Sequence, residues 1–269
     1  NIWLVIILGY YFIATFLPVD QIIGKLYPIF GLALLIMALG VGGGLIFGDY
    51  NIPNIALNNL HPGELPMWPL LFVTIACGAI SGFHSTQSPI MARCTTNEKE
   101  GRKIFYGAMV AEGIVALIWA AAAMTFFQGT GGLNEAMTSL GGPAGIVHEI
   151  SGTMMGVVGG VLAMLGVIAA PITSGDTAFR SVRLTLSDIF GLEQKSIKNR
   201  LIFAIPIFIV GGALSQINFD ALWRYFAWSN QTVALVVLWA GAMWRAKRGK
   251  NHWIASIPAV CMTAVSVTY

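Results

Sequence analysis

Apolar runs long enough to cross ~30 Å of hydrocarbon recur along the whole chain, about eight of them, and this recurrence leaves few folds open. No water satisfies the backbone inside a bilayer, so a spanning segment is either a helix or a strand of a closed barrel. Runs of roughly 20 residues suit helices, since barrel strands need only about half that length. The chain therefore reads as all-α, a polytopic helical membrane protein forming a single transmembrane domain over residues 1–269. The expected spans are Ile2–Leu17, Pro28–Phe47, Trp68–Arg93, Ile104–Gln128, Thr153–Arg180, Leu201–Ile217, Phe219–Trp244 and Trp253–Tyr269. Charged residues are 10% of the chain, under half the ~25% of a globular domain, which excludes a soluble fold. Asn1 and Tyr269 both fall inside apolar runs, so the sequence reads as a fragment of a longer transporter-sized protein lacking N-terminal spans.

Basic residues give the orientation. Lys25 follows the first span, and Arg93, Lys99, Arg102 and Lys103 follow the third. Arg180, Arg183, Lys195, Lys198 and Arg200 follow the fifth, and Arg245, Lys247, Arg248 and Lys250 follow the seventh. The alternate loops, 48–67 and 129–152, contain neither Lys nor Arg. This alternation is what the positive-inside rule requires of an even set of spans with Asn1 outside. The net charge of +3 thus follows membrane topology and carries no sign of nucleic acid. Cys77, Cys94 and Cys261 lack paired spacing and read as small apolar fillers, with no metal site or cofactor implied. The short stretch 133–150 reads as an interfacial helix pair or lid, and 187–200 as an amphipathic turn at the inner surface.

Within the spans, polarity concentrates in three places. The third turns polar at membrane depth, through Ser81, Gly82, His84, Ser85, Thr86, Gln87 and Ser88 to Pro89. Glycine weakens a helix and proline removes a donor, so a broken helix is expected here, with freed backbone groups facing protein or a watery cavity. A purely structural kink needs only Gly82 and Pro89. The added hydroxyls, amide and imidazole favour a substrate or ion site, where a glycine lets backbone approach a ligand. The fifth span is expected to break likewise at Pro171 and Gly175, presenting Thr173, Ser174 and Asp176. The seventh carries Ser229, Asn230, Gln231 and Thr232, with Asp220 and Arg224 spaced to pair near the outer face.

Charges inside a span cost about 2.5–3.5 kcal/mol on insertion scales, which makes each a functional candidate. Glu112 lies roughly 12 Å into its helix from the cytoplasmic end, at 1.5 Å per residue. By counting, His84, Glu112 and Asp176 share a depth compatible with one site. A structural hydrogen bond for Glu112, and an Asp176–Arg180 pair at i,i+4, are the competing explanations and stay open. Arg93, Arg180 and Arg183 lie just below, where they can steer an anionic substrate.

The run C-G-A-I-S-G-F-H-S-T-Q-S-P-I-M-A-R-C from Cys77, followed by N-E-K-E-G-R and F-Y-G-A-M-V-A-E-G-I-V-A-L-I-W-A-A, strongly resembles the carbon starvation protein A (CstA) family. So do P-I-T-S-G-D-T-A-F-R-S-V-R with S-D-I-F-G, and I-N-F-D-A-L-W-R-Y-F-A-W-S-N-Q-T. The resemblance implies a bacterial inner-membrane transporter of small organic nutrients, peptides or pyruvate, acting in carbon starvation. It also implies the amino acid–polyamine–organocation superfamily, whose core is an inverted five-helix repeat. No nucleotide-binding loop is present, so an ion gradient is the expected energy source, with H+ as coupling ion and Glu112, Asp176 and His84 as carriers. Two other functional classes compete. A nutrient sensor would need an output domain, and an intramembrane enzyme a nucleophile or metal-ligand spacing; neither is visible.

Overall fold

The computed structural model describes the backbone of residues 2–14, 19–54 and 56–269. Ten α-helices occur among them: α1 Ile2–Ala14, α2 Val19–Phe47, α3 Met67–Ala79, α4 Gly82–Cys94, α5 Ala108–Phe126, α6 Thr130–Ser139, α7 Pro143–Phe190, α8 Ile197–Leu214, α9 Phe219–Lys247 and α10 Trp253–Thr268. A 3₁₀ turn at Glu98–Glu100 and a π-helical turn at Arg102–Gly107 lead into α5. Four stretches are long and apolar enough to cross a membrane: Tyr27–Phe47, Glu98–Phe126, Pro143–Gly166 and Ile197–Leu214. Shorter apolar helices cover Val5–Ala14, Met67–Ala76 and Trp253–Thr268. α9 has the length, but its polar patch at 229–232 dilutes the apolar run. The side chains of Lys25, Cys77, Pro171 and Asp220 lie outside the described residues, and so does the expected Asp220–Arg224 pair.

The chain divides into two compact units. The first comprises Asn1–Gly63 and Ile114–Val210, and is built on α2 against α7. Its core joins Val41 and Leu45 of α2, Ala122 of α5, Ala136 of α6, and Ile146 and Ile150 of α7. Lipid tails are as apolar as leucine, so helices associate in a bilayer through close packing rather than through escape from water. Gly40 shows that packing: a Cβ there would stand 2.4 Å from Met155 Cε of α7.

The second unit comprises Glu64–Gly113 and Gly211–Tyr269. Here α3, α9 and α10 meet around Val73, Ala76, Ala227, Met262 and Val265. The Trp228 indole donates to the Ser266 carbonyl at 3.1 Å, and that of Trp239 to Thr263 Oγ1 at 3.1 Å, tying α9 to α10. In both units large apolar side chains face outward; Leu117 of the first is 71% exposed and Ile257 of the second 64%. Such surfaces suit hydrocarbon.

The third expected span is broken, but over a narrower stretch than its composition suggests. α3 ends at Ala79, and Ile80 (φ −132°, ψ 74°) and Ser81 (φ −100°, ψ 131°) leave helical geometry before α4 begins at Gly82. Pro89 sits inside α4 without ending it. The fifth span corrects the sequence expectation. α7 is helical through Pro171 and Gly175, and its one non-helical residue is Gly156 (φ 63°, ψ −146°). A positive φ strains any residue with a Cβ, so the glycine sets this position, whereas a membrane helix can absorb the single donor that proline removes. Asp176 therefore lies on a regular helix, and the 133–150 region is α6 followed by the first turns of α7.

Candidate functional site

The α3–α4 break is held by α9. Ser81 caps α4: its Oγ accepts from the Phe83 N–H at 3.2 Å. Asn230 Oδ1 accepts from the same N–H at 2.8 Å and from Ser81 Oγ at 3.4 Å. About two turns earlier, on α3, the Val73 carbonyl accepts from Nε2 of the fully buried Gln231 at 3.3 Å. Helix starts leave backbone N–H groups without intrahelical partners, and here the Asn230 amide oxygen supplies one, while Gln231 adds a tie from α9 to the middle of α3. Gly82 lets the two backbones approach. A Cβ at that position would lie 2.3 Å from the Asn230 carbonyl oxygen and 3.0 Å from Val233 Cβ. The first of these is backbone and cannot swing away, so Gly82→Ala is expected to part α4 from α9. The expected cost is about 1–3 kcal/mol, the range for overpacking, read as a lower melting temperature in detergent. Unchanged melting would mean that α4 shifts freely on α9.

The remaining polar side chains of α4 mostly satisfy themselves. Ser85 Oγ donates to the Gly82 carbonyl at 2.8 Å, Thr86 Oγ1 to Phe83 at 2.8 Å, and Ser88 Oγ to His84 at 2.7 Å. Gln87 Nε2 reaches Thr86 Oγ1 at 3.4 Å. His84 differs. Its Nε2 stands 3.1 Å from Glu112 Oε2 of α5, with the two side chains 32% and 51% exposed. Its Nδ1 is buried without a partner among the described residues. The structure thus brings His84 to Glu112, and Ser81 and Gly82 to Asn230, all within the second unit.

Thr173, Ser174 and Asp176 belong to the first unit. The Thr173 and Ser174 carbonyls both accept from Thr177 Oγ1 at 3.0 Å. Asp176 is fully buried and Arg180 is 4% exposed. Arg180 Nη2 donates to Asp176 Oδ1 at 3.2 Å and to the Ala14 carbonyl of α1 at 3.0 Å, while Tyr27 Oη of α2 donates to Asp176 Oδ2 at 3.1 Å. Below this knot, past the apolar stretch Pro143–Gly166, Arg183 is also buried. Burial first, then the neighbouring guanidinium groups of Arg180 and Arg200, lower Arg183 to about 10. Nothing in the sequence distinguishes Tyr27 as a partner of Asp176, because 149 residues separate them.

A groove of about 520 Å³ in the first unit, lined by residues such as Leu39, Ile46, Ile114 and Leu117, holds no titratable side chain and no part of these clusters. Among the described residues, no group of three or more His, Cys, Asp or Glu is placed to hold a metal ion.

Comparison with known proteins gives relatives in bacteria. An uncharacterised membrane protein of Haemophilus influenzae is 43% identical over 157 residues, covering 51% of this chain and 42% of that protein. The peptide transporter CstA of Escherichia coli is 24% identical over 340 residues, covering 99% of this chain and 48% of the transporter. The pyruvate/proton symporter BtsT of Escherichia coli is 31% identical over 153 residues, covering 54% of this chain and 21% of the symporter. The chain thus spans about half the length of the CstA transporter it matches. The two relatives with named activities are transporters, not enzymes. No solved structure matches the chain. The family model described as carbon starvation protein CstA matches residues 1–141 and 125–269, together the whole sequence, and the chain belongs to that family.

Proposed function

We propose that this chain is part of a secondary active transporter of the bacterial inner membrane, taking up a peptide or a small carboxylate such as pyruvate with protons. The observation that carries the reading is the His84–Glu112 contact. Two titratable groups on separate helices share one hydrogen bond, beside a break that leaves α4 as a short helix of its own. Imidazole and carboxylate can each carry a proton, so the pair offers a place where one is taken up and released. With Glu112 ionised, His84 holds α4 to α5. A proton on the carboxylate removes the charge assistance from that bond and loosens the hold. Loading a proton thereby biases the position of α4, which gives the ion gradient a grip on a movable element. Relatives named as a peptide transporter and as a pyruvate/proton symporter support both the substrate classes and the coupling ion.

The test is uptake into vesicles by the full-length protein under an imposed proton gradient, with labelled pyruvate and a labelled dipeptide offered in parallel. One of the two is expected to accumulate, and a protonophore to collapse it. Accumulation indifferent to the protonophore would remove the proton from the reading, and uptake of neither would remove the substrate classes.

Orientation is checked separately. Cys94 and Cys261 are exposed thiols, so they and Cys77 are first replaced by serine. In that background Asn59→Cys is expected to label from outside intact cells, and Lys99→Cys only after permeabilisation. Labelling of the latter in intact cells would reverse the topology.

A further inference from the structure

Beyond the apolar stretch of α7 the chain makes a tight turn. Gly191 ends the helix, Ser187 Oγ donates to the Leu192 carbonyl at 2.6 Å, and the Leu192 N–H returns to the Ser187 carbonyl at 3.0 Å. The turn folds Gln194 back over Arg183, whose Nη1 donates to Gln194 Oε1. Arg200, one turn into α8, donates its Nε to the Gln194 carbonyl at 2.6 Å. Two guanidinium groups and a carboxamide thus converge on one spot. Two of their buried donors, one on Arg183 and one on Gln194, lack an acceptor among the described residues. Arg183 is 5% exposed, and its Nε has no partner among the described residues; neither has the buried Nε2 of Gln194. Asp176, seven residues earlier on α7, is already engaged by Arg180 and Tyr27. Asp188 and Glu193 are exposed, and neither pairs with Arg183.

A buried donor left unmet costs about 1–3 kcal/mol, more when it is charged. Two of them side by side, with surplus positive charge, describe a site short of one anion. We infer that Arg183, Gln194 and Arg200 form a binding site for an oxyanion at the cytoplasmic end of α7. The planar fork of arginine matches the two oxygens of a carboxylate or phosphate, and the Gln194 amide adds a neutral donor beside it. Burial first, and then the like charges of Arg180 and Arg200, lower Arg183, the second cause being the same surplus of positive charge. Two sources offer that chemistry, the carboxylate of a small organic acid and the phosphate of an anionic lipid headgroup. The inference does not rest on transport, since it concerns binding at equilibrium without a gradient.

The experiment uses the whole protein purified in a neutral detergent, with thermal stabilisation read against three probes: pyruvate, inorganic phosphate and phosphatidylglycerol, with phosphatidylcholine as control. At least one anionic probe is expected to raise the melting temperature saturably. Stabilisation by pyruvate without phosphatidylglycerol assigns a soluble carboxylate, and the converse a lipid headgroup. Arg183→Gln is expected to weaken the effective probe roughly tenfold or more, the size of one lost charge-assisted hydrogen bond. Gln194→Met, in a half-buried turn position, removes the amide without leaving a buried charge, and is expected to weaken the probe by several-fold even if Arg183→Gln fails to fold. Absence of stabilisation by all three probes, or equal stabilisation of wild type and Gln194→Met, overturns the site.

Discussion

Glu112→Gln is expected to abolish gradient-driven accumulation of substrate while leaving membrane insertion and yield near those of the wild type. Glutamine keeps the length and shape of the side chain, and its Oε1 still accepts from His84 Nε2, the contact that stands at 3.1 Å. Only the titration is lost. Glu112 is half-exposed, so the neutral variant leaves no buried charge behind and folding is spared. A carrier fixed in one protonation state can still exchange substrate across the membrane but cannot use the proton gradient. Counterflow with equal substrate on both sides is therefore expected to persist, which separates lost coupling from a damaged protein. His84→Ala should retain the acid and shift the pH dependence of uptake, because the imidazole no longer shares the proton. Full gradient-driven accumulation by Glu112→Gln would return this carboxylate to a structural hydrogen bond, the alternative that the sequence leaves open.

The helical, membrane-spanning class was legible because hydrocarbon leaves so little choice. Repeated apolar runs admit helices, and the structure is helical with four stretches able to cross. The disturbance in the third run was legible too, though not its extent. Glycine and proline both mark a weak helix, yet Pro89 is absorbed within α4 while the break falls at Ile80 and Ser81. What fixes it there is Asn230, more than a hundred residues away, accepting from the Phe83 N–H. The fifth run misled for the same reason. Pro171 and Gly175 look like breakers, but α7 stays helical through both, and the residue that leaves helical geometry is Gly156 at a positive φ. Depth counting brought His84, Glu112 and Asp176 into one zone; the first two touch, whereas Asp176 belongs to the other compact unit. Counting cannot choose partners for Asp176, since Tyr27 and the Ala14 carbonyl reach its cluster from other helices.

Arg180→Met is expected to cost more stability than any other change considered, about 3–5 kcal/mol, the range for removing one partner of a buried ion pair. Asp176 is fully buried, and Arg180 supplies its opposite charge at 3.2 and 3.4 Å. Without the guanidinium the carboxylate keeps, among the described residues, only the Tyr27 hydroxyl, which is neutral and cannot offset a buried negative charge. The Ala14 carbonyl loses a donor at the same time, so a hydrogen bond between α1 and α7 goes with it. Since folded proteins hold only about 5–15 kcal/mol in reserve, the variant should insert poorly and melt early in detergent. Two further variants decide whether the knot is structural or part of the transport path. Asp176→Asn combined with Arg180→Met removes both charges and keeps an acceptor for Tyr27, so stability should largely return. If this double variant also transports with the wild-type pH dependence, Asp176 is a fastener between α1, α2 and α7. If it is stable and transport is lost, the carboxylate takes part in moving substrate or proton. Wild-type melting of Arg180→Met alone would show that Asp176 is not held ionised by this pair.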